Sequence, residues 1–412
     1  MALEPYTTAF HRYAETLTDT ERSTRAAQFA QFLATGFPDA EQEDWRYTDL
    51  SSRTNAGYVL GAAEPDLAPD WLRARCINDA ERLVYLNGRL NTALSTESRW
   101  HAALTAPTTL AEGLIALNAA FADGGLNLTL GRSVQLAAPL QVLIATQAGA
   151  EATMAHQRHR ITLGENAEAT VLLQFCGDGG ARLSTQQLDI ELAAGAKLNL
   201  YRVQHESAGA TLITQTLVTQ QHDSRLNAVT IDLGDAYVRH DLRSVLNAPG
   251  AEADFSGLYA PVGSGHVDNH TWAVHAAPHG RSRSHYRGII DERAKAVYVG
   301  KVVVEPDAQK TDSEQRIANL LLSRRAEVNA KPELEIYADD VKCAHGATVG
   351  QLDETALGYL RSRGIPLEAA RALLLRAFAA EILDRIAWPA LASQIAAALR
   401  LPEALPVAEE TP

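Results

Sequence analysis

The sequence lacks the features that mark several large classes of protein. Its 412 residues include only three cysteines, Cys76, Cys176 and Cys343, which are far apart and form no CxxC pair. We therefore expect no disulfide framework and a reducing compartment. No run of about 18 apolar residues is present, so we expect no membrane-spanning helix. The first residues also lack the basic and apolar regions of a secretory signal, which favours a cytoplasmic location.

Positive charge is scarce as well. Lysine and arginine number 37 against 50 aspartates and glutamates, a formal net charge of −13, and no basic stripe is present. This balance argues against nucleic acid as the main ligand. The motifs GxxxxGK[ST], GxGxxG, HExxH and GxSxG are all absent. Without a P-loop, any nucleotide hydrolysis connected with this protein has to come from a partner.

The pattern of apolar and polar residues changes twice along the chain. Residues 1–124 are mostly helical in pattern, with one helix ending near Gly36 and another over 106–123 capped by Thr108 or Thr109. Residues 125–350 alternate apolar and polar residues as strands do. Residues 351–412 are helical again, with Asp353 as an N-cap, Gly364 as a helix stop and a frayed tail from residue 402.

The strand-rich part repeats. Six-residue windows that begin at 137, 166, 195, 223 and 250 align, and two of their columns are apolar throughout. The fourth column holds Leu140, Ala169, Leu198, Leu226 and Ala253; the sixth holds Val142, Val171, Leu200, Ala228 and Phe255. A strand that returns at a fixed interval predicts stacked coils, a β-helix or β-solenoid. A sandwich with regular hairpins is the alternative, and the frame weakens after Gly280, where Arg283 and His285 would enter the columns.

One short motif has the chemistry of a metal ligand. Cys343 and His345 are two residues apart after an apparent strand, so both side chains point to one face. A thiolate and an imidazole suit iron, zinc or an iron–sulfur cluster, but two ligands leave the coordination shell incomplete. The alternative is a buried cysteine beside a structural histidine.

A second cluster of histidines suggests a different function. A metal site of the cupin kind would make the chain a cupin-like or solenoid metalloenzyme. However, the spacings of 4, 5, 4 and 6 residues scatter the side chains over several faces, which favours surface or interface roles. The cluster comprises His266, His270, His275, His279 and His285.

The segment 41–50 joins aromatic and charged residues in a loop. We predict that it packs a domain edge, with Trp45 and Tyr47 burying their rings and Arg46 pairing with a carboxylate.

Longer stretches resemble a known family. Residues 331–352, which include Asp339-Asp340-Val341-Lys342-Cys343-Ala344-His345-Gly346, are similar to the hallmark stretch of the SufB/SufD family of iron–sulfur cluster assembly scaffolds. The resemblance is densest over 266–386 and is to the SufD branch rather than to SufB. Other matching segments are 45–48, 267–271, 309–312, 319–323 and 359–365.

The resemblance implies a fold and a set of partners. The fold is mainly β with helical ends: an N-terminal helical domain (1–124), a right-handed parallel β-helix core (125–350) and a C-terminal helical domain (351–412). The core is expected to pair with a SufB-like paralogue, and the C-terminal helices to dock a SufC-like ABC ATPase, so this chain binds no nucleotide itself. Whether it forms a homodimer without SufB stays open.

The resemblance also implies a role for particular residues. The chain would be a scaffold without catalytic turnover, and a transient iron–sulfur cluster would form at the SufB–SufD interface. His345 is the expected ligand from this chain, with Cys343 as a neighbour that assists. An apolar helical stripe over 370–386 is the candidate ATPase surface. We select from it Leu373, Leu374, Phe378 and Ile382.

Overall fold

The computed structural model describes residues 3–62, 67–103 and 113–399. It is mainly β, with a solenoid of about eight coils between helical segments, as predicted. No helix in the described ranges has the length and apolar character needed to cross a bilayer. The elements before the solenoid are α1 (Glu4–Ala14), α2 (Asp19–Thr35), a 3₁₀ turn (Glu43–Trp45), α3 (Ser51–Thr54), β1 (Val59–Leu60), α4 (Pro69–Arg73), β2 (Glu81–Leu86), β3 (Arg89–Leu90), β4 (His101–Ala102) and α5 (Gly113–Phe121).

Two parallel sheets form the solenoid, and the chain enters them in turn, one strand at a time. Sheet A contains the strands β5 (Gly125–Leu130), β7 (Thr153–Leu163), β9 (Arg182–Leu192), β11 (Ala210–Gln220), β13 (Tyr237–Leu246), β15 (His266–His275), β17 (Lys295–Val304) and β19 (Glu327–Ile336). Sheet B contains β6 (Leu140–Ala148), β8 (Glu168–Gly179), β10 (Lys197–Glu206), β12 (Arg225–Gly234), β14 (Glu252–Pro261), β16 (Arg281–Ile290), β18 (Asp312–Leu321) and β20 (Lys342–Gly350).

The predicted apolar columns are real registers of sheet B. Leu198 pairs with Ala169 on one side and with Leu226 on the other, and the column continues into Ala253. All of them face the interior between the sheets. The first row is offset, because Leu140 pairs with Val171 and not with Ala169. A shift of two residues keeps every side chain on its predicted face.

The register after Gly280 differs from the prediction. Ala253 pairs with Ser282, which pairs with Ser313, so the columns continue through small polar residues. Arg283 and His285 point outward. The prediction was wrong here for a physical reason. The columns were recognised by their apolar residues, but the interior of the solenoid becomes polar toward its C-terminal end.

One turn recurs in six successive coils at intervals of 27 to 31 residues. It places a residue at positive φ: Asn166, Gly195, Asp223, Gly250, His279 and Lys310. Glycine, asparagine and aspartate tolerate this left-handed conformation best. At Gly250 a Cβ would come within 2.1 Å of the Asp223 side chain in the preceding coil, so the close stacking of the turns requires glycine there.

Helices cover the outer faces of the two sheets. The aromatic core of α1, α2 and α5 packs on sheet A against Met154, Leu183 and Ile213. The C-terminal helices are α6 (Glu354–Ser362), α7 (Leu367–Leu383) and α8 (Pro389–Ala398), and α7 and α8 pack on sheet B. Asp353 caps α6 as predicted, whereas Thr108, Thr109 and the tail from residue 402 lie outside the described residues.

The N-terminal segment is not purely helical. Strand β2 adds to sheet B beside β6, and the short strands β3 and β4 pair antiparallel at the same end of the solenoid. The first coil therefore uses residues from the predicted helical domain, and the boundary at 124 stays a prediction.

Candidate functional site

Cys343 and His345 lie on β20, the last strand of the solenoid. Their partners in β18 are Ser313 and Gln315. Both residues continue the interior columns of sheet B, since Phe255 pairs with Ser284 and Ser284 with Gln315. The two side chains therefore share one face, as their spacing predicts, and that face is directed between the sheets.

The C-terminal end of the solenoid is open. No strand of the described chain pairs with the outer edge of β19 or β20, so both edges expose backbone N–H and C=O groups. Apolar side chains are exposed at the same end: Ile336 by 40%, Tyr337 by 62% and Val349 by 52%. His345 is exposed although it lies in an interior column, because no further coil covers it.

The surroundings of Cys343 keep its thiol protonated in the isolated chain. The residue is half-buried against the solenoid core. Burial raises the pKa of the Cys343 thiol, and the backbone of Ser313 lowers it by a smaller amount. A metal ion would therefore have to displace the proton before this sulfur becomes a ligand.

The neighbouring coil adds polar groups that the sequence analysis missed. Gln315 is almost fully buried, its Nε2 donates to the carbonyl oxygen of Glu333 at 3.2 Å, and its Oε1 has no partner among the described residues. The oxygens of Ser282 and Ser313 lie 2.8 Å apart. The recurrence of 29 to 31 residues beyond Ala253 is the signal that would have found Ser313 and Gln315.

The described part of the chain holds no group of three or more histidine, cysteine, aspartate or glutamate side chains that could bind a metal ion. Cys343 and His345 therefore offer two donors on an open surface. A complete coordination shell needs donors from beyond these residues.

The five histidines of 266–285 do not meet. His266 and His270 face outward from sheet A, whereas His275 faces the interior, where its Nε2 lies 2.8 Å from the Ser282 hydroxyl. His285 points outward from sheet B, and His279 lies in a turn. The structure therefore confirms that the five histidine side chains are scattered over several faces.

Burial also makes several of these rings poor sensors of neutral pH. It lowers the pKa of His266, His275 and His285 to about 4 in each case. His270 instead pairs with Asp268, its Nε2 lying 2.9 Å from the carboxylate. These contacts indicate structural roles within the coils.

The segment 41–50 packs as a strap on the outer face of sheet A, and of the predicted side chains Trp45 packs there whereas Tyr47 and Arg46 do not behave as predicted. Trp45 stacks on the guanidinium of Arg239, with 4.1 Å to the ring centroid. Tyr47 is 41% exposed, which corrects the prediction that its ring is buried. Arg46 lies near the Tyr47 ring and pairs with no carboxylate of the described residues. The buried anchor is Thr48, whose hydroxyl donates to Asp268 at 2.5 Å.

The four candidate residues of the ATPase surface fall into two groups. Ile382 is fully buried, and Phe378 packs beside it on the outer face of sheet B. Leu373 and Leu374 are half-buried on α7 and are not part of that core. In this conformation an approaching partner would reach Leu373 and Leu374 before the other two.

Comparison with known proteins assigns the chain to a family. The family described as SUF system FeS cluster assembly, SufBD core domain, matches residues 144–378. The chain is 35% identical to the iron–sulfur cluster assembly protein SufD of Escherichia coli over 399 residues, which cover 93% of this chain and 94% of that protein.

More distant relatives carry similar names. An iron–sulfur cluster assembly SufBD family protein of Synechocystis is 30% identical over 85% of this chain and 84% of its own length. SufD of Bacillus subtilis is 23% identical over 88% of this chain and 89% of its own length. With a family match over more than half its length, the chain belongs to the SufBD family of the SUF iron–sulfur cluster assembly system.

Proposed function

We propose that this chain is a non-catalytic scaffold for iron–sulfur cluster assembly, and that its open solenoid end pairs with a SufB-like paralogue. The observation that carries the proposal is the position of His345. The ring lies in an interior column, yet it is exposed because the last coil is uncovered. A second solenoid that stacked on this end would enclose the ring at the junction.

The open end has the properties of an interface. Two free parallel edges provide unpaired hydrogen-bonding groups that a neighbouring chain can satisfy by strand addition. Ile336, Tyr337 and Val349 supply apolar area at the same place. An apolar patch that is exposed on an isolated subunit is usually buried against a partner in the assembly.

The nascent cluster is the cargo of this interface. His345 would bind iron through its imidazole, and Cys343 would assist after loss of its proton. A cysteine of the SufB-like partner would complete the site from the opposite side. A cluster held by few ligands, shared between two chains, can be released when the chains move apart.

The C-terminal helices would transmit such a movement. We propose that the exposed side of α7 docks a SufC-like ABC ATPase, with Leu373 and Leu374 in the contact. The opposite side of α7 is fixed to sheet B by Ala379 and Ile382, which are fully buried. A pull on α7 would therefore act directly on the solenoid. Displacements of only a few tenths of an ångström already disturb metal coordination.

The central test measures cluster formation on the complex of this chain with its SufB-like and SufC-like partners. The change is His345→Ala, alone and with Cys343→Ala. We expect the single variant to lose most of the bound iron and sulfide, and the double variant to lose nearly all. The matched control is His222→Ala, which removes another exposed histidine, from a turn elsewhere in the solenoid.

Assembly and cluster yield must be measured separately. Size-exclusion chromatography should show that all three variants still assemble, because His345 contributes little buried area. An unchanged iron and sulfide content in the double variant would refute the assigned ligands. A failure to pair at all in the wild type would refute the scaffold.

A second experiment tests the ATPase contact. The double change Leu373→Asp and Leu374→Asp places two charges on the exposed side of α7, and we expect it to abolish co-purification of the ATPase. The control is Leu33→Asp, at an exposed leucine on another helix, α2. Retention of the ATPase by the α7 variant would place the docking surface elsewhere.

A further inference from the structure

The two free strand edges at the C-terminal end of the solenoid are not equivalent. They belong to β19 in sheet A and to β20 in sheet B, and no strand of the described chain pairs with either of them. Each residue of a strand directs its N–H and C=O groups to the same side, and consecutive residues alternate between the two sides. The hydrogen bonds to the preceding coil therefore show which groups of β19 and β20 face the free edge.

Pro332 interrupts the free edge of β19. The N–H group of Glu327 donates to the carbonyl oxygen of Ala294 at 3.1 Å. In the same way, the N–H group of Tyr337 donates to the carbonyl oxygen of Val304 at 2.9 Å. The odd-numbered residues of β19 therefore point toward the preceding coil, and the even-numbered residues point toward the free edge. Pro332 has an even position in the middle of the strand and has no N–H group to donate.

The position of Pro332 leaves the hydrogen bonds within the chain intact. It lies opposite Gly300 in β17, and its missing N–H group would have faced outward. Proline at an outward position is one of the ways in which proteins prevent pairing at a sheet edge. A strand added to β19 would lack a hydrogen bond at its centre and would meet the pyrrolidine ring there.

The free edge of β20 contains no proline. The N–H group of Lys342 donates to the carbonyl oxygen of Thr311 at 2.8 Å, so the even-numbered residues of β20 point toward the preceding coil. The odd-numbered residues each direct one donor and one acceptor to the free edge, without interruption. These residues are Cys343, His345, Ala347 and Val349.

The side chains increase the difference between the two edges. Charged side chains beside a strand edge discourage strand addition. Strand β19 carries four of them, Glu327, Lys331, Glu333 and Glu335. Lys342 is the only lysine, arginine, aspartate or glutamate of β20, and most of its other residues are small, so a neighbouring strand can approach closely. The small residues are Ala344, Gly346, Ala347, Thr348 and Gly350.

We propose that the partner chain adds a strand to β20 alone, and that Pro332 excludes strand addition on β19. This inference rests on the proposed pairing of two solenoids, and it specifies that sheet B continues across the junction while sheet A ends there. The occupant is an edge strand of the SufB-like partner. That strand has to be free of charged side chains where it meets β20, because an unpaired charge buried in the junction would be costly.

Strand addition at β20 brings residues of the partner next to the proposed cluster ligands. The Cβ atoms of facing residues on neighbouring strands are about 4.5–5.5 Å apart. The interior column of Gln315 and His345 then continues into the partner, whose residue in this column can reach the same iron. Because the backbone hydrogen bonds of the junction lie along β20, the two solenoids can separate first on the β19 side.

Hydrogen exchange, measured by mass spectrometry on the isolated chain and on its complex with the partner, tests the choice of edge. In the complex, the outward amides of β20 should exchange at least about 10-fold more slowly than in the isolated chain. A peptide that covers β19 should exchange as it does in the isolated chain. Equal protection of both strands would overturn the role of Pro332, and no slowing in β20 would overturn strand addition there.

A matched pair of proline variants tests the two edges in turn. Ala347→Pro removes an outward N–H group from β20, and Ala330→Pro removes one from β19. Both alanines face the solenoid interior. Ala347→Pro should raise the Kd for the partner at least about 10-fold, because a backbone acceptor of the partner strand is left unpaired. Ala330→Pro should leave the Kd unchanged.

Biolayer interferometry measures both Kd values, and circular dichroism confirms that each variant keeps its fold. A larger loss in Ala347→Pro than in Ala330→Pro supports the inference. Equal losses would overturn it while the scaffold function stands, because the wild type would still pair. A larger loss in Ala330→Pro would assign the added strand to β19 instead.

The reverse variant, Pro332→Ala, tests the edge of β19 without a partner. It restores the outward N–H group, and we expect the self-association constant of the isolated chain to rise about 3-fold or more. Sedimentation velocity at several concentrations measures this constant. An unchanged constant would overturn the protective role of Pro332. If the wild type failed to pair with the partner, the scaffold function would be refuted, and this measurement would still decide whether Pro332 protects its edge.

Discussion

The two ends of the solenoid are built differently although one repeat generates both. At the N-terminal end, β2 contributes Leu83 and Tyr85 to the interior, both fully buried, and the edges finish in strands of two residues. At the C-terminal end, β20 is exposed along nearly its whole length. Repeat proteins need a cap where a stack ends. The partner chain proposed above would supply the missing cap at the C-terminal end.

One interior column shows the change from the buried coils to the exposed C-terminal end. It runs through Phe255, Ser284, Gln315 and His345 on successive strands of sheet B. The first three are buried and the last is exposed. Burial thus decreases toward the C-terminal end of the solenoid, and Cys343 and His345 lie on its least buried strand.

The largest expected effect comes from truncating this column at its apolar end. Phe255→Ala removes a fully buried ring and should lower the free energy of unfolding by about 3–5 kcal/mol. His345→Ala in the same column should change it by less than about 0.5 kcal/mol, as expected for an exposed side chain. Urea unfolding followed by circular dichroism measures both. Equal losses would mean that the two ends do not differ.

A pH titration should show an intermediate effect in the early coils. His159 is buried, accepts from the backbone N–H of Leu126 at 3.0 Å and lies 3.0 Å from Gln186 Oε1. Burial lowers its pKa from 6.5 to about 4. The unfolded chain therefore binds a proton that the folded chain excludes, and stability falls as the pH decreases from about 6.5 toward 4.

The size of this effect can be isolated with one variant. Between pH 7.5 and pH 5, His159 should account for a loss of about 2 kcal/mol. His159→Gln does not titrate and retains a donor and an acceptor, so its loss over the same interval should be smaller by about that amount. The measurement is urea unfolding at the two pH values. Parallel curves for variant and wild type would contradict the assigned burial effect.

The smallest effect is expected for an ion pair at the open end. Lys310 and Asp340 pair between adjacent turns, but their side chains are 57% and 65% exposed. Asp340→Asn should lower the free energy of unfolding by no more than about 0.5 kcal/mol, because solvent screens such pairs. Thermal unfolding at low and high salt tests this. A loss of several kcal/mol would show that the last turn stabilises the coils behind it.

Much of this architecture could be predicted from the sequence, because apolar residues recur at the interval of the coils. Leu198, Leu226 and Ala253 occupy the registers expected of them, and Asp353 and Gly364 bound α6. The spacing of Cys343 and His345 also predicts their common face. These features depend on the repeat interval, on helix capping and on the alternation of side chains along a strand.

The remaining features depend on tertiary contacts, which no local sequence pattern contains. Ser282 and Ser284 were missed because a polar residue in a column looks like the end of the repeat. Ile382 was selected for a partner surface, yet it packs within its own chain; an apolar helical stripe does not reveal which neighbour it will meet. The space of about 610 Å³ between α5, the strap 41–50 and four strands of sheet A is formed only by the tertiary structure.

The two free edges have a consequence for the supply of this protein in the cell. A molecule made without a partner exposes strand edges that can pair with the edges of other copies of the same chain. Such pairing between like edges can produce open-ended arrays. Synthesis in step with the proposed SufB-like partner would limit that loss. A surplus of this chain should therefore precipitate, and co-production of the proposed partner should restore its solubility.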